Sequence, residues 1–126
     1  MIMKFLSAAN RDGEIRLSPP TEDRIGMVHA ADVARAALLL IQEKAWETFN
    51  ISGGQTSSIE EIATACIHAV GKGKIEIEDE KPLRPATTRF DLDCSKASQL
   101  LGFSPKLDLQ DGLKLMWKQV TDGQSP

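Results

Sequence analysis

Arginine, proline, aspartate and serine fall together in Arg84-Pro85-Ala86-Thr87-Thr88-Arg89-Phe90-Asp91-Leu92-Asp93-Cys94-Ser95-Lys96-Ala97-Ser98-Gln99-Leu100-Leu101-Gly102, and their combined chemistry suits an anion. Pro85 fixes its own φ and biases Arg84 away from helix, which holds the guanidinium on extended backbone. A guanidinium presents a planar fork of donors to phosphate. Asp93 or Ser95 is suited to cap a helix that turns Ala97, Leu100 and Leu101 inward and stops at Gly102. The same residues also describe an ordinary surface loop ahead of a capped helix, because surface arginines are common.

Other reactive residue types are scattered. His29 and His68 stand on separate elements with no carboxylate or cysteine at metal spacing, so both read as structural or solvent-facing, and no metal site is expected. Gly53-Gly54, between a strand-like and a helix-like segment, sits where a phosphate can meet a helix N-terminus, but two glycines make only a turn. Glu76, Glu78, Asp79 and Glu80 form an acidic group that alternation places on a solvated strand edge. Asp32 reads as a helix cap or dipole partner rather than a general base. Cys66 and Cys94 lack a paired motif and read as reduced structural thiols. No catalytic residue is assigned.

The elements that must position these groups follow from periodicity. Residues 4 to 10 read as the end of a helix, as though the chain begins inside one, and Arg11-Asp12-Gly13 releases it. Residues 14 to 17 read as a strand ended by Ser18-Pro19-Pro20, and 25 to 29 as a second strand. A helix over 32 to 43 is expected to carry Val33, Ala37, Leu40 and Ile41 inward. Residues 49 to 51 read as a short strand. Ser58 and Glu61 have capping-box spacing before a helix to 70, with Ile59, Ile62, Ala63, Cys66, Ile67 and Val70 on one stripe. Residues 74 to 78 alternate as a half-buried strand, with Ile75 and Ile77 inward. Asp108 is placed to cap a last helix, 109 to 120, with Leu109, Leu113, Met116 and Val120 inside and Trp117 flanking. The last five residues, 122 to 126, are expected to fray.

These 126 residues fit one domain, a small α/β layer of short strands and packed helices. With 41% hydrophobic and 26% charged residues, the composition is that of a globular protein, and a net charge of -3 argues against a general nucleic-acid binder. No apolar run reaches membrane-spanning length, and the opening Met-Ile-Met-Lys-Phe-Leu is too short for a signal sequence, so a cytoplasmic protein is expected.

Several segments, taken in order, resemble a known family. They are Val28-His29-Ala30-Ala31-Asp32-Val33-Ala34, Phe49-Asn50-Ile51-Ser52-Gly53-Gly54, Ser58-Ile59-Glu60-Glu61-Ile62-Ala63, Arg84-Pro85 with Asp93-Cys94-Ser95-Lys96-Ala97 and Leu100-Leu101-Gly102-Phe103, and Leu109-Gln110-Asp111-Gly112-Leu113. They are similar to the carboxyl-terminal, substrate-binding part of extended short-chain dehydrogenase/reductases, the NAD-dependent epimerase/dehydratase family. The resemblance implies an enzyme whose Rossmann domain holds NAD or NADP and a Tyr-x-x-x-Lys pair, with a smaller part closing over a nucleotide-sugar. Only the second part is visible here: the chain has no dinucleotide glycine fingerprint and no tyrosine. By itself it is therefore expected to bind no NAD cofactor and to be inactive as an oxidoreductase, since the proton transfer needs that phenol.

By the same resemblance, two arginines flank the sugar-nucleotide diphosphate. Arg84 matches one. Counting back from Asp32 puts Ile25 at the other position, with Arg24 one residue away, so Arg24 is the candidate there. Ala86-Thr87 replaces the usual Gly-Asp, and Leu92-Asp93-Cys94-Ser95-Lys96 looks more like the reductases related to dTDP-4-dehydrorhamnose reductase. Two functions follow: the nucleotide-sugar-binding part of such an enzyme, either truncated from its Rossmann half or encoded separately and completed by a Rossmann-domain chain, or a non-catalytic protein-interaction module derived from it. In either case Met1, Ile2, Phe5, Leu6, Met27 and Trp46 are expected to lack cover and to support a homodimer.

Overall fold

The computed structural model describes residues 1–43, 46–79, 85 and 89–123. Helix α1 (Ile2–Arg11) leads into β1 (Glu14–Leu17), and β2 (Arg24–Gly26) is followed by α2 (Ala30–Gln42). Then come β3 (Thr56–Ser58), α3 (Ile59–Val70), β4 (Lys74–Ile77), β5 (Arg89–Phe90), α4 (Ser95–Leu101) and α5 (Leu109–Asp122). The architecture is the mixed α/β arrangement expected.

The strands form two small sheets. Strands β1 and β4 pair in parallel, with Glu14 opposite Lys74 and Leu17 opposite Ile77. Strand β2 is central in the other sheet, antiparallel to β3 and parallel to β5, with Arg24 opposite both Ser58 and Arg89. The larger core joins α1, β1, α3 and α5 through Leu6, Ala9, Ile15, Ile62, Cys66 and Leu113. A second cluster gathers Ala36 of α2 with Ala97, Leu101 and Phe103, and Leu39, Leu40, Phe49 and Ile51 pack on it.

Helix termini follow local chemistry. The capping box of α3 is complete: Glu61 N–H donates to Ser58 Oγ at 3.0 Å, and Ser58 N–H to Glu61 Oε2 at 2.9 Å. Asp108 Oδ1 accepts from Asp111 N–H at 2.8 Å and caps α5. At α4 neither expected residue is the cap: Cys94 holds that position without a side-chain cap bond, while Asp93, one residue earlier, accepts Ser95 N–H through Oδ1 at 2.9 Å. That amide, with the Ser95 side chain, holds the Asp93 carboxyl below its ordinary pKa.

Several expectations are corrected. Helix α2 starts two residues before the expected 32, because His29 rather than Asp32 is its cap: His29 Nδ1 accepts Ala31 N–H at 3.1 Å. Its inner face is Asp32, Ala36, Leu39 and Leu40, whereas Val33, Ala37 and Ile41 are exposed. A helix apolar on every side has no periodicity to fix its rotation, and the bonds made by Asp32 fix it instead. Residues 49 to 51 join no strand, and Gly53-Gly54 leads into β3 rather than directly into a helix. In α4, Leu100 points outward while Ala97 and Leu101 are buried; on β4, Ile77 is exposed at the sheet edge.

The opening helix also differs from expectation. Leu6 is fully buried in the larger core, and Ile2, Phe5 and Met27 pack against it, leaving Met1 and Trp46 as the exposed members of that group.

Candidate functional site

Arg24 lies on the middle strand of the three-stranded sheet, and its guanidinium is closely held. Nε donates to Thr56 Oγ1 at 3.2 Å and Nη2 to the Thr56 carbonyl at 2.6 Å, while Nη1 and Nη2 reach the two oxygens of Glu61 at 3.2 and 3.1 Å. The fork therefore clips β2 to β3 and to the first turn of α3. The Ser58 amide and then Arg24 hold the Glu61 carboxyl below its ordinary pKa. The Arg24 side chain remains 37% exposed, and of its five N–H donors four are bonded among the described residues.

Arg89 is a residue that the sequence did not mark. As the in-register parallel neighbour of Arg24 it stands beside it at one end of the sheet, bonded to Asp91 at 3.2 Å. A two-residue strand carries no periodic signal, so only the pairing reveals the juxtaposition. Arg84 lies outside the described residues. Of the residues that follow it, Arg89 and Phe90 form β5, which lies beside the strand that carries Arg24.

Asp32 is the most informative side chain in the second half of the site. It is 2% exposed and accepts from Arg35 Nη2 at 2.6 Å, from Lys106 N–H at 3.1 Å to each oxygen, and from Leu107 N–H at 3.1 Å. Burial alone would raise its pKa; Arg35 and the two amides outweigh that, and the net shift is downward. Arg35 also donates to the Ser104 carbonyl at 2.5 Å and lies 5.2 Å from the Phe103 ring centroid. The carboxylate therefore ties α2 to the loop before α5, a larger task than the cap or dipole role expected of it.

Two hollows flank this loop. One, of about 490 Å³, is apolar and lined by Ile2, Val28, His29, Leu109, Leu113 and Met116. The other, of about 500 Å³, is more polar and lies among Gly53, Gly54, Ser57, Lys106, Asp108 and Asp111. Among the described residues no buried side-chain nitrogen or oxygen lacks a partner, and no three of His, Cys, Asp and Glu gather to hold a metal.

The comparisons with known proteins agree on one group of enzymes. No family model matches the chain. The sequence is 29% identical over 115 residues to the dTDP-4-dehydro-6-deoxy-D-allose reductase of a Streptomyces species, covering 90% of this chain and 34% of that protein. It is 34% identical over 88 residues to the dTDP-glucose 4,6-dehydratase of Streptomyces niveus, covering 68% of this chain and 26% of that one. The fold matches the UDP-glucose 4-epimerase of Thermotoga maritima, solved with UDP-glucose, at a TM-score of 0.78 and 25% identity over 98% of this chain and 40% of that one.

The chain belongs to the NAD-dependent epimerase/dehydratase family of extended short-chain dehydrogenase/reductases. It corresponds to their carboxyl-terminal part, and spans about a third of the length of the curated relatives it matches.

Family membership implies NAD(P), and the residues here do not fit a dinucleotide. A Cβ at Gly53 would lie 1.9 Å from the Met27 carbonyl oxygen, so that glycine serves a backbone crossing, and the turn continues into a strand rather than aiming amides at a pyrophosphate. His29 is committed to its cap and packs on Gly112, whose added Cβ would come within 3.2 Å of His29 Cδ2. His68 is exposed on α3, and no described helix is long and apolar enough to cross a membrane.

Proposed function

We propose that this chain is the nucleotide-sugar-binding part of an NAD(P)-dependent epimerase, dehydratase or reductase in the cytoplasm, gripping the substrate diphosphate with Arg84 and Arg24. One observation carries the reading: β5, which follows the Arg84-Pro85 segment, lies parallel to β2, which bears Arg24. The in-register Arg24 and Arg89 put guanidinium-bearing residues side by side on these strands, and paired guanidinium groups suit a diphosphate, which supports the reading. Arg24 is largely occupied by Glu61 and Thr56, so Arg84 makes the stronger contact. The allose reductase relative supports the reductase branch. Hydride and proton transfer would come from a Rossmann domain, because the 126 residues contain no tyrosine.

Calorimetric titration with UDP, dTDP and GDP tests the reading. Binding of at least one is expected, with NAD(H) giving no heat. Arg84→Ala weakens that binding by about 1.5–3 kcal/mol, the worth of a charge-assisted hydrogen bond, and Arg24→Ala by less. Unchanged affinity in Arg84→Ala removes that residue from the site, and low-micromolar NAD(H) binding contradicts the division of labour. A second reading, a non-catalytic protein-interaction module, is favoured by the uncovered face of α2; it predicts no nucleotide binding at all.

A further inference from the structure

The guanidinium of Arg24 turns two edges to two different kinds of partner. Its side edge, Nε and Nη2, is held by Thr56 Oγ1 and the Thr56 carbonyl at 3.2 and 2.6 Å, both on the neighbouring strand β3. Its end edge, Nη1 and Nη2, is filled by the two Glu61 oxygens at 3.2 and 3.1 Å. Two parallel N–H···O bonds to a carboxylate are the same fork that a guanidinium offers to phosphate. Glu61 has its carboxyl held below the ordinary pKa, so it is ionised at neutral pH. The edge of Arg24 suited to a phosphate is therefore occupied by an anion of the chain itself. The in-register Arg89 is likewise met by a carboxylate, Asp91 at 3.2 Å.

The two edges differ in what frees them. The Thr56 carbonyl belongs to a paired strand and can leave Arg24 only with the backbone. Glu61 is a side chain 54% exposed, and a carboxylate that lets go of Arg24 there passes to water rather than being stranded in an apolar interior. The capping box does not need Arg24, since Ser58 N–H donates to Glu61 Oε2 and Glu61 N–H to Ser58 Oγ without it. We infer that Glu61 is an internal competitor for the anion site on Arg24: phosphate oxygens enter by replacing its carboxylate at the Nη1–Nη2 edge, while Thr56 keeps the guanidinium in place. The inference rests on the diphosphate reading above for the identity of the anion.

Calorimetry with inorganic pyrophosphate at low ionic strength tests it, because this probe carries neither base nor sugar. Glu61→Gln removes the charge and keeps the shape, and glutamine also completes a capping box, so α3 stays capped. This variant, checked for native circular dichroism, is expected to bind pyrophosphate about fivefold more tightly than the parent chain, the effect of removing one unit charge at about 4 Å in water. In an Arg24→Ala background, or Arg24→Gln where alanine does not fold, the same change is expected to give no gain. Equal binding by the parent and Glu61→Gln, no binding by either, or a gain that persists without Arg24 overturns the inference. The diphosphate reading fails separately, if UDP, dTDP and GDP all leave the chain unbound or Arg84→Ala changes nothing, whatever Glu61→Gln does.

Discussion

Removing the Asp32 carboxylate is the sharpest perturbation of the fold around the site. Asp32→Ala leaves the Lys106 and Leu107 amides without their acceptor, and reduces Arg35 to the Ser104 carbonyl and the face of Phe103. Breaking one side of a buried, hydrogen-bonded ion pair costs about 3–5 kcal/mol, a large share of the roughly 5–15 kcal/mol that holds a domain of this size together. Asp32→Asn keeps the shape and one acceptor oxygen, so about 1–3 kcal/mol is expected. Urea unfolding at neutral pH measures both as shifts in midpoint at constant slope. A loss under about 1 kcal/mol for alanine, or equal losses for the two variants, would refute the view that this carboxylate anchors the loop.

The same group gives a signed pH dependence. Its folded pKa is below the unfolded one, so its contribution is fully present above the ordinary aspartate range and is lost as pH falls through the folded value. In Asp32→Asn the acid-side loss of stability should be shallower than in the parent.

Three further outcomes are expected. Glu14, held by Lys74 first and then Arg16, has its pKa lowered from 4.5 to about 2, so its contribution is also lost as pH falls between those values, and Glu14→Gln should flatten thermal stability over that window. Gly53→Ala should fail to fold or lose about 3 kcal/mol or more, because the new Cβ meets backbone at 1.9 Å; a near-neutral result in a thermal melt would contradict the crossing. Burial pushes the Cys66 thiol up to about 11, so a thiol reagent at mildly alkaline pH should label Cys94 rapidly and Cys66 only on unfolding; two equal fast phases would count against the core described.

What could be read from the sequence was whatever is encoded locally. Ser58 and Glu61 announced a capping box, Asp108 a cap and Gly102 a left-handed stop, and each is present because it needs only neighbouring residues. Arg89 beside Arg24 was invisible because it depends on parallel pairing across 65 positions. The burial of Asp32 was invisible because the amides it accepts from, those of Lys106 and Leu107, lie more than seventy residues on.

The rotation of α2 and the missing strand at residues 49 to 51 share one cause. Both segments are apolar enough to be covered on two sides, and a pattern of that kind says that a segment is buried but not against what. Phe49 and Ile51 use their side chains against the cluster of Ala36, Ala97, Leu101 and Phe103, yet no described strand pairs with their backbone, so the segment reads as a strand in sequence and is none in the fold. Helix α2 meets the same condition from its other side. Its inner face is set by the groups that cannot be buried without partners, Asp32 and the amides it accepts from, and Ala31, Ala34, Ala37, Leu38 and Ile41 are turned outward as a consequence. The strength of the Asp32 anchor and the bareness of the α2 face are therefore coupled. A variant that loosens the anchor should let the helix roll and bury Ile41 or Val33, both exposed in the intact fold. An Ile41→Cys probe in a Cys94→Ser background should therefore react more slowly with a thiol reagent once Asp32→Asn is added, with folding confirmed; an unchanged labelling rate would separate the two features.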